Sequence, residues 1–252
     1  MNKFKVLSIC LSLVFVLGIT LLLTANMVQA DNTVDVVEFE DPALEDAVRE
    51  AVGLKEGPIC AEKAAELKWF RPHAQGIESL AGIEQLQSLE RLELNGNRID
   101  DITPLTRLDN LQWLNLTGNN LADISALGEL SELKFLYLDR NNIEDITALA
   151  GLENLRLLNL SHNQVADIAP LSDLEKLSVL KLDYNRIDEI TALSELEELT
   201  ILNLSYNRVD NISALAELDE LTSLNIKANN IENAEPLQHL QNLRELTPEI
   251  SG

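Results

Sequence analysis

An asparagine returns every 22 residues along this chain: Asn97, Asn119, Asn141, Asn163, Asn185, Asn207 and Asn229. The seven copies run without an insertion, and around each lies the frame L-x-x-L-x-L-x-x-N-x-I/L/V. The first is Leu89–Asn110, LERLELNGNRIDDITPLTRLDN. Its x-L-x-L-x portion alternates with period two, so it reads as a short strand with Leu92 and Leu94 facing inward. The asparagine then turns the chain. Its amide both donates and accepts, so it can satisfy turn backbone groups that water does not reach. Stacked once per coil, these asparagines form a structural ladder.

A frame of this kind with a period between 20 and 29 residues is the signature of a leucine-rich repeat. The implied fold is α/β: a right-handed solenoid with a concave parallel β-sheet. Ile99, Ile102, Leu105 and Leu108 fill the rest of the coil, and Thr103-Pro104 opens the outer segment. That segment is short, which predicts irregular or 3₁₀ turns on the convex side.

The boundaries follow from the frame. Residues 1–30 carry Lys3 and Lys5, an apolar run over 6–23 and a small-residue end at Ala30, the pattern of a signal peptide. If it is retained, it serves as an N-terminal membrane anchor. Either way the repeats are expected outside the cell, secreted or at its surface. With the leader removed, Cys60 is the one cysteine left, expected as a lone half-buried thiol at a helix start. Residues 31–66 lack the frame and read as a helical N-terminal cap. Asp41 and Pro42 open a helix that Gly53 ends, and a second helix covers about 61–67. Residues 67–242 make eight coils. The first, 67–88, is degenerate: Phe70, Ile77, Leu80, Ile83 and Leu86 keep the apolar frame, while Gln75 replaces asparagine. Residues 243–252 are a partial repeat and tail.

The segment DPALEDAVREAVGLKEGPI, followed by the 22-residue repeats, resembles the internalin-like leucine-rich-repeat proteins secreted by bacteria. The resemblance covers residues 40–246. It implies a protein-binding module whose partner is a host surface protein. Cys60 stands where such proteins often carry Thr or Ser, and no wall-sorting tail follows the repeats. The repeat also resembles that of intracellular phosphatase-regulatory proteins, a location the leader argues against.

Catalysis is not expected. His73, His162 and His239 lie far apart, and no zinc, nucleophile-elbow or phosphate-loop motif occurs. Asp100, Asp101, Asp123 and Asp145 read as solvated outer charges rather than calcium ligands. No metal or cofactor is implied. The net charge of −23 excludes nucleic acid as a partner.

The strand positions outside the frame carry the functional signal. Arg91, Trp113, Phe135, Leu157, Val179, Ile201 and Ser223 share one register position on the concave side. With strands about 4.8 Å apart, the five apolar members make a stripe roughly 20 Å long. Glu93, Tyr137 and Lys181 flank it. Arg140, His162, Tyr184 and Tyr206 lie on the rim. Aromatic residues concentrated on an exposed face build interfaces. The concave site is therefore expected to comprise Trp113, Phe135, Tyr137, Leu157, Tyr184, Ile201 and Tyr206. Arg91, Glu93, Arg140 and Lys181 would orient the partner. The chain reads as a non-enzymatic monomer that binds a protein, either a host surface protein or, alternatively, a component of the bacterium's own envelope. Glu at positions 113 and 135 is expected to abolish binding without loss of stability.

Overall fold

The computed structural model describes residues 35–248. The leader and the final tail lie outside the described residues. A nine-stranded parallel sheet runs through the molecule in strict chain order. It comprises β3 (Trp69–Phe70), β4 (Arg91–Glu93), β5 (Trp113–Asn115), β6 (Phe135–Tyr137), β7 (Leu157–Asn159), β8 (Val179–Lys181), β9 (Ile201–Asn203), β10 (Ser223–Asn225) and β11 (Glu245–Thr247). Register advances by one repeat per strand, so Arg91 pairs with Trp113, Trp113 with Phe135, and Phe135 with Leu157. Each strand is only two or three residues long because the chain must turn within one repeat. Strand-to-strand bonding continues past it, as Leu94 N donates to Asn115 O (2.8 Å).

Inside the coils, the leucines and isoleucines of the frame are buried from Phe70 to Ile226. Burial of this kind yields about 1.5–3 kcal/mol per side chain relative to exposure, which is what drives successive coils together. The outer segments are 3₁₀ turns, among them Thr103–Arg107, Ser125–Glu129 and Thr147–Leu149. Each begins on a side-chain cap. Asp101, Asp123 and Asp145 accept the backbone N–H two residues on, each at 2.8 Å. These aspartates are therefore turn caps, and Thr or Ser hydrogen bonding holds their carboxyls below the usual carboxylate range.

The asparagines bridge coils. Asn141 Nδ2 donates to Leu138 O in its own coil and to Leu116 O in the preceding one. Its Oδ1 accepts from Leu121 N of that preceding coil. The same three bonds recur at Asn119, Asn163, Asn185, Asn207 and Asn229. In the degenerate coil Gln75 is exposed, and the turn is held instead by Asn97. Its Oδ1 accepts from both Gln75 N and Ile77 N.

The N-terminal region is helical, as expected, with an added antiparallel ribbon of β1 (Val36–Val37) on β2 (Ile59–Cys60). Helix α1 covers Pro42–Ala51, and α2 is a single turn, Ala61–Ala64, shorter than predicted because the chain must reach β3. Cys60 is half-buried and stands at the start of α2, the helix-start position expected of it. Asp41 caps α1 through Oδ1, accepting from Ala43 N and Leu44 N, and holds the first coil through Oδ2, accepting from Glu78 N and Ser79 N. Gly82 fits where nothing larger would: at φ +104°, an added Cβ would lie 2.4 Å from Glu38 O.

Candidate functional site

Alternation along each strand sends the frame leucines inward and their neighbours out onto the concave face. The first outward row is continuous in register: Trp69, Arg91, Trp113, Phe135, Leu157, Val179 and Ile201. Trp69, which begins it, escapes the sequence reading because its coil is degenerate. It is 71% exposed, the most open large apolar side chain among the described residues. The 22-residue count alone would have found it, since Trp69 precedes Arg91 by one repeat.

Trp113 is packed rather than free. Its ring centroid lies 4.8 Å from that of Phe135 and 5.3 Å from that of Tyr137. The Arg91 guanidinium sits over its face at 4.1 Å, and its indole N–H is buried without a hydrogen-bond partner. Phe135, Tyr137, Leu157 and Val179 are half-buried, while Ile201 is exposed. Burial pushes the Tyr137 hydroxyl above its ordinary pKa.

The second row is a hydrogen-bonded support more than a contact surface. Glu93 is buried, and its carboxylate accepts from Arg91 Nε (2.7 Å) and Arg71 Nε (3.2 Å). It thus fixes the guanidinium over Trp113 instead of reaching the rim. Asp139 accepts from Thr117 Oγ1 and Asn159 Nδ2, and Asp183 from Ser161 Oγ and Asn203 Nδ2. Lys181 stands out of this network and is exposed.

The third row lies at the turn before each ladder asparagine, and every member has positive φ. Early coils place Gly96 and Gly118 there. Later coils place Arg140, His162, Tyr184 and Tyr206, with φ between 56° and 58°. For bulky L-residues this region costs roughly 1–2 kcal/mol each. The rings nonetheless stack in a rail: His162 on Tyr184 at 4.3 Å, and Tyr184 on Tyr206 at 4.2 Å, both nearly parallel. Tyr184 and Tyr206 are 43% and 40% exposed. A side-chain hydrogen bond with Tyr206 raises the Tyr184 pKa.

The structure thus brings Arg91, Trp113, Phe135 and Tyr137 into one cluster and His162, Tyr184 and Tyr206 into another, on the same sheet face. No group of three or more His, Cys, Asp or Glu side chains suited to a metal occurs among the described residues. The surface grooves lie elsewhere, between outer turns, as at Ala122–Ser125 and Asp145.

Comparison with known proteins agrees with this architecture. Leucine-rich-repeat family patterns match residues 85–102, 109–151, 153–195 and 175–231. Among solved structures, internalin C2 of Listeria monocytogenes is 36% identical, with a TM-score of 0.81 over 83% of this chain and 93% of its own. Another internalin of that organism (inlF) is 29% identical, with a TM-score of 0.54 over 83% of this chain and 75% of its own. A leucine-rich-repeat protein of Leptospira interrogans is 27% identical, with a TM-score of 0.64 over 67% of this chain and 45% of its own. No curated protein matches the chain.

Proposed function

The chain belongs to the internalin-like leucine-rich-repeat proteins, a class of protein-interaction modules, and we propose on that premise that it is exported and holds a partner protein on its concave sheet. One observation carries the reading. The outward row from Trp69 to Ile201 is a line of aromatic and aliphatic side chains, interrupted only by Arg91, which stacks on Trp113. Beside it stands the exposed rail of Tyr184 and Tyr206. Monomeric proteins rarely leave a contiguous apolar surface of this kind open without a use for it. Trp, Tyr and Arg are the residues that most often dominate binding energy.

Export is supported by the charged, then apolar, then small-residue order of residues 1–30. The role is binding rather than turnover, since the sequence carries no catalytic motif and the concave rows offer stacked rings and aliphatic side chains. A host surface protein is the first reading of the partner; a component of the bacterium's own envelope is the second.

The test is capture from two extracts, host-cell surface proteins and bacterial envelope, with purified protein and with a Trp69→Ala/Tyr206→Ala variant. Both substituted side chains are open, so the fold should survive. A host band lost by the variant supports the first reading, and an envelope band lost by the variant supports the second. If the variant captures the same bands as the parent, the concave reading fails.

A further inference from the structure

Charge is not spread evenly over this molecule. Residues 35–248 hold forty acidic and seventeen basic side chains. The concave band comprises residues 68–74 and their equivalents in each later coil. Among the described residues only five acids fall there: Glu90, Glu93, Asp139, Asp183 and Glu245. Nine of the seventeen basic residues fall there too. The sheet face is therefore net positive in a chain of net charge −23, and the excess acid sits on the turns and convex side.

The acids of the band are also largely spoken for. Glu90 pairs with Lys68, and Glu93 with Arg91 and Arg71. Asp139 and Asp183 accept hydroxyl and amide donors from neighbouring strands. Arg140, Arg156 and Lys181 are exposed and form no ion pair with another described residue. They sit on three successive coils, about 10 Å across at the ordinary strand spacing. Leu157 and Val179 of the apolar row lie between them.

We infer that the partner held on the concave sheet is a protein surface with an apolar centre bordered by carboxylates, which meet Arg140, Arg156 and Lys181. The inference rests on the concave reading above and specifies its occupant. The acidity of the whole chain does not oppose it, because the Debye length is about 8 Å at physiological salt and the near face governs a docked partner. Complementary potentials of this kind set partner choice and association rate. A polyanion such as a sulfated glycan fits less well. It needs a dense run of cations, whereas here they are separated by apolar side chains whose burial only a protein surface repays.

The probe is a random peptide library selected on the purified protein. Two variants accompany it: Arg140→Glu/Arg156→Glu/Lys181→Glu, and Leu157→Glu/Ile201→Glu, each checked by thermal melting. The expected peptides join Asp or Glu to aromatic or aliphatic residues. They should bind the charge-reversed variant at least about ten-fold more weakly and lose the apolar-row variant altogether. Peptides that are basic, or indifferent to charge reversal yet lost in the apolar-row variant, overturn the inference and leave the concave reading standing. Peptides indifferent to both variants overturn both. Heparin binding that only the charge reversal removes replaces the protein occupant with a polyanion and overturns the inference.

Discussion

At the residue scale, two kinds of position do opposite work. The ladder asparagines are bound into the coil on every side. Asn141→Ala removes the bonds donated to Leu116 O, Leu138 O and Asp139 O and leaves the buried Leu121 N without its acceptor, while Asn119 and Asn163 still serve the two leucine carbonyls. Each buried group left unpaired costs about 1–3 kcal/mol, so the urea midpoint should fall clearly while affinity for a concave ligand is kept. The rail tyrosines are held in a backbone region that disfavours them. Tyr206→Gly relieves the positive φ, whereas Tyr206→Ala loses the stack and keeps the strain. Glycine is normally the less stable of the two by about 0.5–1 kcal/mol. Here the order should invert in thermal melts, and equal or normal order would mean that the turn is unstrained. Trp113→Glu and Phe135→Glu, which the sequence alone presents as harmless, should each lower the melting temperature. Ring pairs such as theirs contribute about 0.5–1.5 kcal/mol beyond burial.

At the scale of elements, the N-terminal cap is fastened to the coils by one carboxylate. Burial works against ionising Asp41, but four backbone N–H groups outweigh it and hold the group below the ordinary carboxylate pKa. A depressed folded pKa gives stability that is present above the unfolded value, about 3.9, and is lost as pH falls through the folded value. Parent protein should therefore lose cap stability in that acidic window, and Asp41→Asn should show a flatter dependence. Hydrogen exchange in α1 reads this directly. Gly82→Ala should loosen the same junction, since its Cβ would meet Glu38 and Phe39. Of these elements the sequence showed α1, the coils and the outer turns, because each has a periodic or capping signature of its own. The ribbon of β1 on β2 had none. Two-residue strands carry no period, and their pairing spans a helix. Trp69 was legible in principle by counting one repeat back from Arg91. The packing of Trp113 was not, because half-burial depends on which rings stand in neighbouring strands. The role of Asp101 and Asp123 as turn caps was hidden for a different reason. A solvated charge and an Asx cap look alike without the backbone.

At the scale of the whole molecule, the fold is a repeat, and the proposed function lies in what the repeat leaves free. The frame fixes the leucines, the asparagine and the outer cap, and it places strongly acidic turns on the convex side. The concave rows are unconstrained by it, and there the chain puts its aromatic rail, its apolar row and a surplus of cations. We propose that this face, and not the acidic convex side, is the one that binds. Site-specific photo-crosslinking tests it most directly, with a benzophenone side chain at position 201 on the concave row or at position 197 on an outer turn. Both positions are exposed, so neither probe disturbs the core. Captured partner should crosslink from position 201 and not from position 197; crosslinking from position 197 alone would rule out concave binding.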